Sequence, residues 1–352
     1  MQLSGTVAFS SGRFGCYNIW TLDFASGLLK QLTKDDEIND HPRWSPCGNY
    51  LAFTRIESDS STGIWIMNRD GSEPRAITTD MYCQHPSWSP DGGAIVFTGN
   101  PNKRESLGVF CVNSDGSNLR QIFDSTHVEL TPSFSPDGRY LLFACPSLLS
   151  DEFSPVTSND IQEYDLSNKT LRTIHAHPAQ DVTPRYSPDG TRIAFISYRN
   201  ERSAAEFQSQ YNIYKEVVLK GSAAEARKAL SKLKHFQADG DVYVSNRDGS
   251  ILLPLTEDEH ADKDLCWSPC GNYIMFSRTA LGSPNADRLC IVNSHTGEGV
   301  PFEYNRTELE ESMQMSINLH ESFLQKLLPN FIERKMFAPS FWGAERHPDW
   351  TP

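Results

Sequence analysis

The sequence has few basic residues and no long apolar run, and each absence excludes a class of function. Its 352 residues include 32 Lys and Arg against 45 Asp and Glu, which gives a net charge of −13 at pH 7. A protein with this negative charge repels phosphate backbones, and nucleic-acid binding is not expected. Since no run of about 18 apolar residues occurs, no membrane-spanning helix is predicted.

Secretory and disulfide signals are also missing. The first residues lack the basic start and the apolar length of a leader, so we expect a cytoplasmic protein. The alternative is a periplasmic or secreted protein from which a leader was removed. The eight cysteines form no CxxC pair, and several lie in apolar, strand-like runs. This pattern favours free thiols in the core over disulfides or zinc ligands, and it agrees with a reducing compartment.

What the sequence does contain is one short phrase in six variants. The first five variants run into an Asp-Gly or Cys-Gly turn and then into a β-rich apolar run. The variants are His41-Pro-Arg-Trp-Ser-Pro46, His85-Pro-Ser-Trp-Ser-Pro90, Thr131-Pro-Ser-Phe-Ser-Pro136, Thr183-Pro-Arg-Tyr-Ser-Pro188, Leu265-Cys-Trp-Ser-Pro269 and His347-Pro-Asp-Trp-Thr-Pro352. A repeat of this length, built from short strands, is typical of a β-propeller. Its tryptophans Trp44, Trp88 and Trp267 are expected to pack between blades.

The spacing of the phrases predicts the number of blades. Successive Ser positions lie 44, 46, 52 and 81 residues apart, and 83 more lead to Thr351. The two long intervals indicate insertions of about 40 residues, at 199–240 and 305–345. Without them the chain fits six blades of four strands each. The N-terminal segment supplies only three strands, so residues 347–352 are predicted to complete the first blade and close the ring.

These phrases resemble the TolB-type propeller repeat, whose signature is PxWSPDGxxIAF. That resemblance implies an all-β propeller and leaves the function open. Related classes are periplasmic Tol–Pal components, propeller domains of prolyl-oligopeptidase-type peptidases, and oligogalacturonate lyases. The peptidase class does not fit, because neither a hydrolase domain nor a GxSxG elbow is present. Oligogalacturonate lyases stay possible, because that class carries its chemistry within the propeller itself.

Both insertions carry helix-capping patterns. Ser203-Ala-Ala-Glu206 and Ser222-Ala-Ala-Glu225 predict a helical hairpin within 199–240, and Thr307-Glu-Leu-Glu310 predicts a helix within 305–345. Both are expected on the top face of the ring, where loops join second to third strands and blade to blade. The hairpin carries a basic patch that is either a solvated helix face or a docking surface for an acidic partner. The patch consists of Arg227, Lys228, Lys232 and Lys234.

Three histidines hold the same place in the repeat. His41, His85 and His347 each precede the proline of an innermost strand in three consecutive blades, so they should meet at the channel mouth. His320, on the helix predicted within 305–345, could reach the same point. Imidazoles with an oxygen donor suit a transition metal such as manganese, iron, zinc or nickel. Further candidates from neighbouring loops are Asp40, Gln84, Asp264 and His260.

The same position holds Thr131 and Thr183 in other blades, which favours a generic structural role for a polar residue there. Two functional hypotheses therefore stay open. The first is a binding scaffold that presents its top face and channel mouth to a protein or an acidic saccharide. The second is a metal-dependent lyase or hydrolase that acts on an acidic oligosaccharide in the channel mouth. Whether the protein is an enzyme is not decided by the sequence.

Overall fold

The computed structural model describes residues 3–14, 16–58, 61–79, 81–100, 107–123, 130–146, 159–177, 179–199, 213, 240–258, 260–280, 287–300 and 345–351. Nearly all of both predicted helical insertions lies outside these residues, and so do His320 and the four residues of the basic patch. Within the described ranges no helix has the length and hydropathy needed to cross a bilayer.

The described residues form six antiparallel sheets, which are the blades of a propeller. In order along the chain, the strands are β1 (Thr6–Phe14), β2 (Cys16–Asp23), β3 (Leu29–Gln31), β4 (Ile38–Trp44), β5 (Tyr50–Ile56), β6 (Thr62–Asn68), β7 (Arg75–Ala76), β8 (Tyr82–Trp88), β9 (Ala94–Asn100), β10 (Gly108–Asn113), β11 (Arg120–Phe123), β12 (Leu130–Phe134), β13 (Tyr140–Pro146), β14 (Asn159–Asp165), β15 (Thr170–His175), β16 (Asp181–Tyr186), β17 (Arg192–Ser197), β18 (Asp241–Asn246), β19 (Leu253–Pro254), β20 (His260–Trp267), β21 (Tyr273–Ala280), β22 (Asp287–Asn293) and β23 (Glu345–Thr351).

Blade 1 has the order β23-β1-β2-β3, and blades 2 to 5 are β4–β7, β8–β11, β12–β15 and β16–β19. Blade 6 contains β20, β21 and β22, with a bridge between Val292 and Gly299 where a fourth strand would lie. The predicted all-β fold with six blades is therefore confirmed. Four-stranded blades are confirmed for the first five.

The ring is closed by β23, as the sequence predicts. This strand pairs with β1 from Thr6↔Thr351 to Ser11↔Glu345, and Trp350 Nε1 donates to the Ser4 carbonyl at 2.9 Å. The innermost strands then contact one another in a cycle: β23, β4, β8, β12, β16, β20 and β23 again. Closure of this kind leaves no innermost strand with an open side.

The core lies between neighbouring blades and repeats around the ring. The second strand of every blade contributes one phenylalanine that is at most 2% exposed, and these are the largest fully buried side chains. They are Phe9, Phe53, Phe97, Phe143, Phe195 and Phe276. The tryptophans Trp44, Trp88 and Trp267 are 7–9% exposed and lie in the interblade clusters, which confirms their predicted packing role.

The repeated Ser-Pro-Asp-Gly turns connect first to second strands on one face of the ring. In the third blade, the Ser89 hydroxyl donates to Asp91 Oδ1 at 2.5 Å, and the amide of Gly93 donates to the same oxygen at 2.9 Å. Gly92 has a φ of 72°, a left-handed value that glycine adopts at little cost. We call this face the turn face and the opposite one the top face.

All eight cysteines are free thiols, and Cys83, Cys111, Cys145 and Cys266 are buried in the core. This confirms the prediction of free core thiols.

Candidate functional site at the channel mouth

Each innermost strand carries a bulge at or next to the residue that precedes the proline position of the repeat. In β4 the register passes from Asp40↔Thr54 to Arg43↔Ala52, so that one extra residue stands opposite β5. In five of the six innermost strands the residue at this position has a positive φ, between 42° and 57°. They are His41, His85, Thr131, Thr183 and Asp264. A left-handed backbone is a genuine outlier for β-branched threonine, so the ring of packed blades must impose it.

Because Thr and Asp take the same conformation, the bulge does not itself require histidine. A bulge aims its side chain away from the regular alternation of the strand. Here the bulges lie on the innermost strands of successive blades, so they aim their side chains at a common centre. The identity of the residue at each bulge therefore sets the chemistry of the channel mouth without altering the frame.

His41 and His85 meet at this mouth. Their ring centroids are 4.2 Å apart with an interplanar angle of 73°, an edge-to-face arrangement. Asp40 flanks the pair: its Oδ1 accepts a hydrogen bond from the His41 amide at 2.9 Å, and its Oδ2 lies 4.0 Å from His41 Nδ1. The predicted convergence of the histidines from blades 2 and 3 is therefore present.

The structure does not test the positions of the other two predicted ligand side chains. His347 lies in β23, but its side chain is outside the described part of the structure, as is His320. His260 begins β20 and is paired with Asp258 at 2.9 Å. Among the described side chains, no group of three or more His, Cys, Asp and Glu is arranged to hold a metal ion. A metal bound by His41, His85, His347 and His320 stays a prediction.

A charged layer lies two residues further along the innermost strands. The aligned position holds Arg43 in blade 2, Arg185 in blade 5 and Asp349 in blade 1. Arg43 Nη1 donates to the Pro42 carbonyl at 3.0 Å, and Arg185 Nη1 donates to the carbonyls of Thr131 and Pro184 at 3.0 and 2.9 Å. An Asp349 oxygen accepts the Trp44 amide.

These three charges belong to one channel although their blades are far apart in sequence. Burial and, secondly, the positive charge of Arg43 lower the pKa of Arg185 to about 9, with Asp349 opposing the shift. Burial likewise raises the pKa of Asp349, and Arg43 opposes that shift most strongly. Sequence reasoning missed this layer. Its signal was the residue before the aromatic position of the phrase, which is charged in three of the six variants.

Buried ion pairs fix the top face beside the channel. Asp181 Oδ1 accepts the Ser197 hydroxyl at 2.5 Å, and its Oδ2 is paired with Arg199. Arg199 also lies 5.5 Å from the ring centroids of Phe195 and Tyr243. These contacts hold the end of β17, from which the segment predicted to form the helical hairpin departs.

A second pair holds the adjoining edge of blade 6. Arg278 Nε and Nη2 donate to the two oxygens of Asp262 at 2.6 and 2.9 Å, and Arg278 Nη1 lies 2.8 Å from Asp258. Asp241, at the start of β18, has its pKa raised to about 7 by burial and by the neighbouring Asp262 carboxyl. The top face of blades 5 and 6 is therefore a rigid frame of buried charges.

Comparison with known proteins agrees with the repeat. The family model described as the TolB beta propeller domain matches residues 4–160. The Tol-Pal system protein TolB of Francisella tularensis subsp. mediasiatica is 31% identical over 192 residues, which cover 54% of this chain and 42% of that protein. A protein TolB homolog of Chlorobium luteolum is 33% identical over 140 residues, 39% of this chain and 30% of its own. The matched segment thus spans less than half of these relatives.

Solved structures show the same fold at low identity. The crystal structure of TolB from Acinetobacter baumannii matches all of this chain and 68% of its own, with a TM-score of 0.65 and 17% identity. An oligogalacturonate lyase in complex with manganese matches 86% of this chain and 77% of its own, with a TM-score of 0.52 and 14% identity. At such identities the likeness concerns the fold alone, so the lyase hypothesis gains nothing from it.

The resemblance to TolB-type propellers stated from the sequence is therefore confirmed. The predicted cytoplasmic location and a saccharide ligand find no support in these comparisons, and the periplasmic alternative stays a prediction.

Proposed function

We propose that this chain, a TolB-type propeller by its repeats and by the match of residues 4–160, is a binding module that receives a protein partner at the mouth of its channel. The observation that carries the proposal is the His41–His85 pair, held on two rigid bulges above two arginines in one channel. Function in repeat scaffolds resides in such side chains and loops rather than in the frame.

The chemistry of the mouth defines what the partner presents. Two imidazoles exchange hydrogen bonds with neutral polar groups, and Arg43 and Arg185 below them favour a carboxylate that enters the channel. Asp40 beside His41, Asp264 near Arg185 and Asp349 in the arginine layer repel a strongly acidic surface, so a polar segment with a single leading carboxylate fits better than a polyanion.

The names of the sequence relatives indicate which kind of protein partner to test. Those most similar in sequence include proteins named as Tol-Pal system components, so a protein of such an assembly is the first partner to test. Docking of an acidic partner on Arg227, Lys228, Lys232 and Lys234 stays a second, separate prediction.

The experiment measures binding of the full chain to the purified Tol-Pal proteins of the same organism by biolayer interferometry. The double variant His41→Ala/His85→Ala should weaken binding about tenfold or more, because two central contact residues are lost. His295→Ala is the matched control: it removes an exposed imidazole on the turn face and should leave the affinity unchanged. Binding that is insensitive to the double variant, or absent for every Tol-Pal protein, contradicts the proposal.

A further inference from the structure

Two cavities on the turn face occupy equivalent places in the ring. One, of about 580 Å³, lies between blades 1 and 2, and the other, of about 490 Å³, lies between blades 4 and 5. Each is lined by a residue of the third strand of a blade and by the basic residue that lies opposite it on the fourth, outermost strand. These pairs are Thr21 with Lys30 and Glu163 with Arg172. Each also contains the arginine of an identical Asn-Arg-Asp-Gly-Ser turn, Arg69 or Arg247.

The cavity between blades 4 and 5 carries its own anion. The Glu163 side chain is 4% exposed and lies between two cations. Its Oε1 accepts the Tyr186 hydroxyl at 2.6 Å and Arg247 Nε at 2.8 Å, and its Oε2 accepts Arg172 Nη2 at 2.8 Å. Three donors thus converge on one carboxylate, which is the geometry of a charge-assisted anion site.

The cavity between blades 1 and 2 keeps the cations and lacks the carboxylate, because Thr21 stands where Glu163 does. Lys30 Nζ donates to the Asp70 carbonyl at 3.0 Å. Arg69 donates to the Gly48 carbonyl at 3.2 Å and to the Thr6 hydroxyl at 3.1 Å. Within the described part of the chain, neither cation forms an ion pair with a carboxylate.

The nearby carboxylates accept hydrogen bonds from other groups. Asp70 Oδ1 accepts the hydroxyl and the amide of Ser72, the same bonds that Asp248 makes with Ser250 in the other cavity. Asp23 Oδ1 accepts the amide and the hydroxyl of Ser26, and its Oδ2 accepts the Thr6 hydroxyl at 3.3 Å.

The aromatic residue also differs between the two cavities, because Trp44 takes the place of Tyr186. Trp44 lines the cavity and is 7% exposed, and its Nε1 is a buried donor without a hydrogen-bond partner among the described residues. The indoles of Trp88, Trp267 and Trp350 each donate to a backbone carbonyl at 2.9–3.1 Å. The Trp44 Nε1 atom is enclosed by protein and does not open into the cavity, so Trp44 contributes its ring, whose centroid lies 5.2 Å from the Arg69 guanidinium, rather than a hydrogen-bond donor.

We propose that the cavity between blades 1 and 2 binds the carboxylate or phosphate group of a small anionic molecule, seated between Lys30 and Arg69 as the Glu163 carboxylate is between Arg172 and Arg247. The cavity is larger than such a group alone, and it lies within the usual volume range of small-molecule sites. Tyr50, which is 45% exposed at its wall, offers a surface for the organic part. This site lies on the face opposite the channel mouth and does not depend on the function proposed for the mouth.

The test is isothermal titration of the full chain with inorganic phosphate and, separately, with succinate, at constant ionic strength set by chloride. The wild type should bind at least one of them, and the tighter one identifies the anionic group. Thr21→Glu places a carboxylate where Glu163 stands in the other cavity and should abolish binding. Lys30→Gln should weaken it about tenfold, because one of the two cations is lost.

Lys30→Gln changes a surface side chain and decides the question if Thr21→Glu does not fold, with the far-ultraviolet circular dichroism spectrum of each variant as the check on folding. No binding of either anion to the wild type overturns the proposal. Equal binding by the wild type and a folded variant also overturns it, because such binding would not involve this cavity.

Discussion

The pKa values of aspartates on the turn face and on the top face are shifted in opposite directions. On the turn face, the hydroxyl of the turn serine and a backbone amide lower the pKa of Asp91, Asp137 and Asp189, the last to about 2. On the top face, burial raises the pKa of Asp181 to about 6 and that of Asp241 to about 7. The turn carboxylates are bonded to residues two positions away, whereas the top-face carboxyls depend on residues from other strands.

The two faces should therefore respond to pH with opposite signs. A carboxyl whose pKa is lowered in the folded state stabilises the fold above pH 4 and loses that contribution as the pH falls towards 2. A carboxyl whose pKa is raised holds a proton that the unfolded chain has already lost, so stability falls as the pH rises from about 4 to about 7. Four substitutions, one of them a control, test this difference between the two faces.

The largest effect is expected where a buried pair loses its cation. Arg199→Met leaves Asp181, which is fully buried, without its ion pair but keeps an apolar stem against Tyr243. The free energy of unfolding should fall by about 3 kcal/mol at pH 8 and by less at pH 5, where Asp181 is protonated. The measurement is urea denaturation at both pH values.

Arg139→Met is the matched control for that variant. Arg139 donates to Asp165 Oδ2 through Nε and Nη2, but the Arg139 side chain is 52% exposed on the turn face. The expected loss is much smaller than that of Arg199→Met, because solvent screens an exposed pair. Equal losses in the two variants would mean that burial does not separate the two faces.

An intermediate effect is expected at Asp241. Asp241→Asn keeps an oxygen for the Thr256 hydroxyl, which lies 3.3 Å from Asp241 Oδ1, and removes the titrating group. At pH 8 the variant should be more stable than the wild type by about 1–3 kcal/mol, and the two should converge near pH 5. Denaturation curves at pH 5, 6, 7 and 8 test this, and a variant that is less stable at pH 8 would show that the Asp241 charge is compensated.

The smallest effect is expected in a single turn. Asp189→Ala removes the acceptor of the Ser187 hydroxyl at 2.5 Å and of the Thr191 amide at 3.0 Å. The cost should be about 1 kcal/mol at pH 7 and should shrink as the pH approaches 2. Thermal unfolding at pH 7 and pH 3 measures it, and a cost independent of pH would assign the effect to the backbone rather than to the charge.

The turn face could be predicted from sequence because its contacts are local. Pro90, Asp91 and Gly92 each perform their part of the turn within four residues, so the phrase that contains them also specifies their geometry. The blade count and the closing strand follow from the same repeat, since β1 has the apolar pattern of a second strand and needs a neighbour.

The top face and the channel could be predicted only in part. The repeat places His41 and His85 at equivalent positions, which is enough to bring adjacent blades together. It does not show that Arg43 and Arg185, 142 positions apart in the sequence, share one channel, nor that Asp241 lies beside Asp262. Such pairs arise from the packing of different blades, and a single sequence holds no local pattern for them.

The closing strand has a kinetic consequence. Blade 1 is assembled from β1 and β23, whose partners Thr6 and Thr351 are separated by nearly the whole chain. Contacts of such sequence separation form late, because the entropy of closing the loop must be overcome before they stabilise anything. During synthesis, blades 2 to 5 can pair their own strands while β1 still presents an unpaired edge on a ribosome-bound chain. That interval, rather than the finished ring, is when this protein is most open to strand exchange and aggregation.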